Sequence, residues 1–394
     1  MKGINTITTI ILLVVGTGCG GGKQSTNDYI TIDVTKSYPK KELILQDFMD
    51  VEYIVLETND EFVTQGIVLA IGKNFIIVKN QVRDGNIFIF DRNGKGVRNI
   101  NRIGQGPEDY TNISGIVIDE DNGEIFVNDE FAKKIMVYDL NGQFKRTLPH
   151  VDDYQYRNEI YIFNNNSLIC KDASFDSDEA NKKAPFVIIS KQTGSIINDI
   201  QIPYTKKIIP SVTFTIEMNG NSMPVGAGYV YFPIIPYHDS WILTEASSDT
   251  VFRYFPDGNK IPFIVRTPSI QSMNPEVFLF PRILADRFYF MQTTKREYNE
   301  EIRKAFPTIE LAYDRQEKAI FETTVYNDDF SNKRIVDMKR ETIRDDEVAF
   351  HDKIEAYELM EANEKGLLKA RLKEIAEELN EDDNPVIMLV KHKK

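Results

Sequence analysis

The sequence contains few of the residues that build redox, metal or nucleophilic sites. Its 394 residues include two cysteines, one tryptophan and four histidines. The histidines lie far apart and do not form an HExxH pair, which disfavours a histidine-bound zinc ion. They are His150, His238, His351 and His392.

Two further catalytic signatures are missing. There is no Gly-x-Ser-x-Gly nucleophile motif, and the glycine-rich run Gly104 to Pro107 lacks the lysine and the following helix pattern of a phosphate-binding loop. Aspartates and glutamates are too numerous for any pair to be chosen as acid and base from sequence. The sequence therefore favours a protein that is not an enzyme and predicts no cofactor or metal.

Positive charge is also scarce, because the chain has 47 lysines and arginines against 60 aspartates and glutamates, which gives a net charge of −13. The summed field of such a chain repels phosphate backbones. Nucleic acid is therefore not an expected partner. The acidic surplus by itself indicates only a well-solvated surface.

The N-terminus has the pattern of an export signal. Lys2 precedes an apolar run, Ile4 to Val15, that is too short to span a bilayer. The run ends at Gly16-Thr17-Gly18-Cys19, which resembles the lipobox of bacterial lipoproteins, although Gly16 stands where leucine is usual. We predict a signal peptide over 1–18, lipidation of Cys19, a flexible tether over 19–27 and a lipid-anchored location in the cell envelope. The alternative is an ordinary secretory signal with an incidental cysteine.

Lipidation of Cys19 would leave Cys170 without a partner for an internal disulfide. Cys170 lies in an apolar strand-like run, so we expect a buried, unreactive thiol.

An internal repeat indicates the fold. The octet Ile87 to Gly94 returns 48 residues later as Ile135 to Gly142, and each copy is an apolar strand that runs into an Asx-Gly turn. Degraded copies follow at Val187 to Gly194, Val251 to Gly258 and Ile309 to Gln316, the last without glycine. A recurrence at this spacing predicts an all-β, four-stranded-blade β-propeller as one domain over 28–394.

The two chain ends are predicted to close the ring. Val51 to Leu56 and Pro385 to Val390 are apolar strands without partners nearby in sequence, and pairing them removes two exposed edges. Apolar residues at helical spacing over Leu367 to Leu379 predict a short C-terminal helix. The charged segment Lys295 to Ala305 is interpreted as a second, inserted helix.

Blade two, Gly123 to Phe144, resembles an NHL-type repeat. With the segments Val51 to Thr58, Ile103 to Tyr110 and Asn384 to Val386, the chain resembles the 6-bladed β-propeller lipoproteins of Gram-negative bacteria. The resemblance implies six blades and an envelope location. The family has no established common activity, so it implies no chemistry.

Candidate binding residues lie on loops expected to share one face of the ring. Around the crossing Gly104 to Tyr110 they are Arg102, Gln105, Glu108 and Tyr110. In the alternative, the glycines only shape a tight turn and Tyr110 packs beneath it. Other members of the face are Lys79 to Gly85, Glu130 to Lys133 and Asp172 to Ala184, with Phe131 and Phe175.

A second candidate is the aromatic stretch Tyr231 to Trp241, where Tyr237 and Trp241 could stack on a ligand. Core packing explains these rings equally well.

Two main functions follow from these expectations. The first is an exported, lipid-anchored, non-enzymatic propeller that binds a carbohydrate or an envelope protein on its loop face. The second is a metal-dependent hydrolase or lyase whose carboxylates and amides hold an ion on the ring axis. A purely structural role as a scaffold in an envelope complex also stays open.

Overall fold

The computed structural model describes residues 29–151, 154–176, 184–218, 221–338 and 347–393. Cys19, the signal peptide and the tether lie outside these residues. Within the described ranges, no helix combines the length and apolar character needed to cross a membrane.

The chain enters the fold through three strands that join blades completed later in the sequence. These are β1 (Ile30–Asp33), β2 (Lys40–Ile44) and β3 (Met49–Val55), with the short helix α1 (Leu45–Phe48) between the last two.

Blades one and two are regular four-stranded antiparallel sheets. Blade one comprises β4 (Ile67–Ile71), β5 (Phe75–Lys79), β6 (Asn86–Asp91) and β7 (Gly96–Asn101). Blade two comprises β8 (Gly115–Asp119), β9 (Glu124–Asp129), β10 (Lys134–Asp139) and β11 (Phe144–Pro149). All six residues of β9 are buried, because neighbouring blades cover both faces of the middle strands. Burial on both faces explains why the repeat reads as continuous apolar runs.

Blades three to five follow the same order. Blade three comprises β12 (Tyr156–Asn164), β13 (Ser167–Asp172), β14 (Phe186–Ser190) and β15 (Ile196–Ile200), with a 3-10 turn at Ala173–Asp176. A hairpin of β16 (Ser211–Met218) and β17 (Asn221–Gly228) precedes blade four, which comprises β18 (Ile234–Tyr237), β19 (Ser240–Leu243), β20 (Thr250–Tyr254) and β21 (Lys260–Thr267). A 3-10 turn at Ile270–Ser272 precedes blade five. Blade five comprises β22 (Val277–Leu284), β23 (Phe288–Lys295), β26 (Thr308–Asp314) and β27 (Ala319–Asn327). The small hairpin of β24 (Tyr298–Asn299) and β25 (Lys304–Ala305) is inserted between β23 and β26, and β28 (Arg334–Val336) pairs with β27 at the outer edge.

Blade six joins the two ends of the chain. Its described strands are β29 (Val348–Ile354), β30 (Val386–His392) and β3, and two helices, α2 (Ala356–Glu364) and α3 (Ala370–Glu378), connect the first two. β3 pairs antiparallel with β30, so that Val51 lies opposite Val390 and Val55 opposite Val386. The predicted closure is confirmed, and the fold is a six-bladed β-propeller.

The repeated turns have the predicted geometry. Gly94, Gly142, Gly194 and Gly258 all have positive φ, between +72° and +86°. A Cβ at Gly94 would clash with the carbonyl oxygen of Val55, so this turn also needs glycine for close approach between blades six and one. In blade five, which lacks the glycine, Lys318 adopts a left-handed φ of 52°.

The predicted helix over Lys295 to Ala305 is wrong, because the segment forms the hairpin β24–β25. The Tyr298 ring stacks on Phe214 of β16 with centroids 3.9 Å apart, and Phe306 enters a buried cluster beside Phe278. These tertiary contacts override the local charge pattern. The predicted C-terminal helix is present as α3, with Leu372 and Ile375 buried, and α2 before it was not predicted.

Candidate functional site

Polar side chains hold together the loops that were predicted to share a face, and two of them, Asp129 and Asp172, are fully buried. Asn80, Asp129 and Asp172 stand at the ends of the second strands of blades one to three. Asn80 Oδ1 accepts a hydrogen bond from Gln65 N at 2.8 Å, and Asp129 Oδ2 accepts one from Thr111 N at 2.6 Å. Asp172 Oδ1 accepts one from Gln155 N at 3.0 Å. The loop after each second strand is thereby tied to the crossing that leads into the same blade, and we call this side of the ring the loop face.

The charge of Asp129 depends on these bonds. Burial opposes its ionisation, but hydrogen bonds from the backbone of Ala132 and Thr111 outweigh burial and lower the pKa of the carboxyl. The ionised carboxylate is therefore a fixed structural anchor of the loop face.

Tyr110 packs beneath the crossing Gly104 to Tyr110, as in the alternative interpretation. Its side chain is fully buried, and its hydroxyl donates to Gly85 O at 2.6 Å while accepting from Arg102 N at 3.0 Å. Burial raises its pKa to about 12. A Cβ on Gly104 would clash with the carboxylate of Asp109, which also accepts from Gly106 N at 2.9 Å. Tyr110 is thus a support of the loop and offers no exposed aromatic platform.

The other three candidates of this crossing differ in accessibility. Gln105 and Glu108 are exposed, so their side chains can contact a partner. Arg102 is half-buried, and its guanidinium donates to Gly142 O at 3.3 Å in blade two. Arg102 therefore joins blades one and two.

An exposed apolar surface lies next to this crossing. Phe131 is 65% exposed, and the guanidinium of Arg83 lies 5.4 Å from the centre of its ring. Val82 is 61% exposed and lines, with Arg83 and Ile103, a shallow cavity of about 30 Å³. We call Val82, Arg83, Ile103 and Phe131 the blade one–two patch. Sequence reasoning placed Phe131 and the 79–85 loop on this face but did not single them out.

Tyr237 and Trp241 lie in the core of blade four. They belong to β18 and β19, so the stretch is regular strand and not an irregular ligand surface. Trp241 is 2% exposed and packs against Tyr161 and Phe163 of blade three, with centroids 5.8 and 6.2 Å away. The hydroxyls of Tyr237 and Tyr289 are hydrogen-bonded at 2.6 Å. Neither ring offers an exposed face, which agrees with the core-packing alternative.

A buried cluster supports the loop face at blades three and four. Lys207 forms an ion pair with Glu245 at 2.8 Å, and its ammonium lies 4.1 Å from the centre of the Phe175 ring. Phe175 is buried, so this predicted loop aromatic is a packing residue. The cluster was not found from sequence, because Lys207 and Glu245 are 38 residues apart in segments without a repeat signature.

One polar cluster lies on blade five, around Arg282 of its inner strand β22. Arg282 Nη1 donates to Gln292 Oε1 at 3.3 Å, and Gln292 in turn bonds Glu310. Arg282 Nη2 also lies 3.7 Å from Asp337 Oδ1. Burial raises the pKa of Glu310. The guanidinium already supplies positive charge to these acids, so the cluster is unsuited to a metal cation.

The described residues contain no group of three or more histidines, cysteines, aspartates or glutamates that could hold a metal ion. Burial lowers the pKa of both His150 and His351 to about 4, so both are neutral at neutral pH. Cys170 is buried, and burial raises the pKa of its thiol, as expected for an unreactive cysteine.

The fold thus defines the class as six-bladed β-propellers, with packed blades and a distinct loop face. A family model, DUF5128, described as a 6-bladed beta-propeller, matches residues 21–350. The chain belongs to this family. No curated protein matches it in sequence.

Solved structures agree with this fold. A protein from Bacteroides fragilis NCTC 9343, described as a "putative exported protein", is 14% identical over 94% of this chain and 100% of its own, with a TM-score of 0.58. A DUF4221 member from Bacteroides vulgatus ATCC 8482 is 10% identical over 88% and 100% of the two chains, with a TM-score of 0.40. A streptogramin B lyase is 11% identical over 72% and 93%, with a TM-score of 0.32. The first likeness shows the fold alone, and the other two are too weak to support an argument.

Proposed function

We propose that this protein is an exported, lipid-anchored and non-enzymatic propeller that binds an envelope protein or a carbohydrate on its loop face. The N-terminal pattern up to Cys19 supports export and anchoring. A structurally similar protein is also described as exported. The NHL-like sequence of blade two fits a propeller that works as a binding platform.

The blade one–two patch carries the proposal. Exposed clusters of large apolar side chains in soluble proteins mark interaction surfaces, and aromatic residues and arginine supply most of the binding free energy at such surfaces. Phe131 with Arg83 provides that pair, and Val82 and Ile103 surround it. The adjoining cavity of about 30 Å³ is far below the volume of a usual small-molecule site. At this patch the geometry favours a protein surface over a sugar.

Two exposed polar side chains near the patch can form hydrogen bonds with a partner. Gln105 and Glu108 offer hydrogen bonds from the neighbouring crossing. An envelope protein with an apolar centre and polar surroundings would match this arrangement of an apolar core and a polar rim.

The test uses residues 29–394 in a binding screen against solubilised envelope proteins and a glycan array. We expect a partner whose affinity falls at least tenfold with Phe131→Ala and severalfold with Arg83→Ala. Val97→Ala is the matched control, because Val97 is an exposed apolar residue on an outer strand outside the patch, and it should bind normally. The absence of any partner in the screen, or equal binding by Phe131→Ala, would contradict the proposal.

The metal-dependent alternative has no ligand set among the residues that the structure describes. Elemental analysis of the purified protein separates the two functions, since a stoichiometric ion would favour the enzyme.

A further inference from the structure

The side of the ring opposite the loop face contains a large cleft between blades three and four. Its volume is about 640 Å³, within the range of small-molecule sites. The turn Asn164–Ser167 and the β15 residues Ile197 and Asn198 line the cleft from blade three, and the turn Pro256–Gly258 lines it from blade four. Phe163, Ile188 and Tyr254 complete the lining.

Side-chain amides dominate the polar lining. Asn164, Asn165, Asn166 and Asn198 are all exposed in the cleft. Asn164 Oδ1 closes the turn by accepting from Asn166 N at 2.9 Å and from the Ser167 hydroxyl at 2.8 Å. Among the described residues, no hydrogen bond engages the side-chain amide of Asn165 or that of Asn166. Each such amide offers two donors and one acceptor oxygen to a ligand.

Tyr254 adds a hydroxyl to the lining of the cleft. Its oxygen accepts from Asn198 Nδ2 at 3.2 Å, which leaves the hydroxyl hydrogen available as a donor. Burial raises the pKa of Tyr254, so the group remains protonated at physiological pH. The pair of Asn198 and Tyr254 therefore presents a fixed donor and acceptor side by side.

Apolar surface accompanies these groups. Ile197 is 59% exposed, and Pro256 is exposed across the cleft from it. Among the described residues that line the cleft, Asp257 is the only charged one, and its carboxylate already accepts from Asn259 N at 2.9 Å in the turn. This described lining includes no lysine or arginine that could attract a phosphate or a carboxylate.

A ligand for this lining must be uncharged, rich in groups that both donate and accept, and partly apolar. Sugars meet all three conditions, because their hydroxyls match amide and phenol groups and their C–H faces pack on apolar side chains. We propose that this cleft is a binding site for a neutral oligosaccharide, held by the amides of Asn165, Asn166 and Asn198 and the hydroxyl of Tyr254.

The site is independent of the proposed protein-binding patch, since it lies on the opposite face and shares no residue with it. The experiment is an array of neutral oligosaccharides of hexoses and N-acetylhexosamines beside acidic ones that contain uronic acids, followed by calorimetry with each neutral glycan that binds. We expect neutral glycans to bind and acidic ones to bind at least tenfold more weakly.

Variants locate the binding. The double variant Asn165→Ala/Asn198→Ala should weaken glycan binding at least tenfold and leave the melting temperature nearly unchanged, because both side chains are exposed. Tyr254→Phe should weaken binding severalfold. Asn141→Ala is the control, an exposed asparagine outside the cleft in the turn between the third and fourth strands of blade two, and should bind like the wild type.

Three results would overturn the proposal. They are no neutral glycan bound, a preference for acidic glycans, or unchanged binding by the double variant. Loss of glycan binding in Phe131→Ala with normal binding in the double variant would place the sugar on the loop face. That outcome would refute this site while supporting the proposed function.

Discussion

At the scale of single residues, Tyr110 shows how one hydroxyl can hold two loops. It connects the end of the loop in blade one, through Gly85 O, to the start of the crossing to blade two, through Arg102 N. Its ring lies edge-on to Tyr138, with centroids 6.1 Å apart. The exposed Gln105 and Glu108 therefore stand on a rigid base.

Tyr110→Phe should lower the free energy of unfolding by about 2 kcal/mol, because it removes the hydrogen bonds to the buried Gly85 carbonyl and to the half-buried Arg102 N–H. Gln105→Ala, at an exposed position in the same crossing, should change it by less than about 0.5 kcal/mol. Denaturant unfolding measures both values. Equal stability of the two variants would show that the hydroxyl does not support the loop.

Residue burial is the part of the site that the sequence predicted least well. Tyr110, Tyr237 and Trp241 were candidates because aromatic rings suit both ligands and cores. Trp241 is buried by Tyr161 and Phe163, which lie about 80 residues earlier, and no local pattern encodes that contact. Phe131 is exposed because no segment that the structure describes covers its ring, and no local pattern encodes this either.

At the scale of elements, charged groups join blades two and three. Arg146 donates both Nη1 and Nη2 to the Glu124 carboxylate at 2.7 Å, and Lys145 also pairs with Glu124. Arg146 further donates to Lys191 O, while the buried Lys191 ammonium lies 2.6 Å from Asp119. Hydrogen bonds from Arg146 lower the pKa of Glu124 to about 2.

Glu124→Gln should cost up to about 3 kcal/mol of stability at pH 7, because the pKa is about 2 in the folded state against 4.5 in the unfolded state and solvent screens part of this interaction. Because the folded pKa is the lower one, the carboxylate stabilises the fold above pH 4.5. The stabilisation is lost as the pH falls toward 2, and the difference between wild type and variant should shrink over that window.

Thermal unfolding from pH 7 to pH 2 measures this difference. Asp121→Asn is the control, since its ion pair with Lys73 is exposed and contributes little. A difference between wild type and Glu124→Gln that does not change with pH would contradict the assignment.

Elements with a strong local signature were predictable, and those shaped by tertiary contact were not. The turns at Gly94 and Gly142 combine an Asx-Gly pair with an apolar strand, and this pattern is local. The hairpin at Tyr298–Ala305 depends on the distant Phe214, so its charged sequence was interpreted as a helix. The parallel strands β1 and β2 were missed because their partners, β21 and β27, lie more than 200 residues away.

At the scale of the whole molecule, stability depends on the join in blade six. Ile54 and Ile387 pair across this join and pack with Phe88 and Phe90 of blade one. The pairing was predictable, since two unpaired apolar strands at opposite ends of a repeat protein have each other as the simplest partner.

Ile387→Asp should destabilise the ring by more than about 4 kcal/mol, because it buries an unpaired charge at a fully covered position. Ile335→Asp, at a strand position that is 65% exposed, is the control and should stay within about 0.5 kcal/mol of the wild type. Chemical unfolding gives the free energies, and small-angle scattering reports whether the ring opens. A closed, stable ring in Ile387→Asp would show that the join is dispensable.

The first three strands also determine how the molecule would respond to tension on its N-terminus. β1 lies along the outer edge of blade four, β2 pairs with β27 of blade five, and β3 pairs with β30 of blade six. A force applied at Tyr29 therefore acts first on the four-residue β1 and then on β2. It reaches the β3–β30 pairing that closes the ring only after both strands have detached. Tension on the N-terminus would therefore detach these two outer strands before it could open the ring.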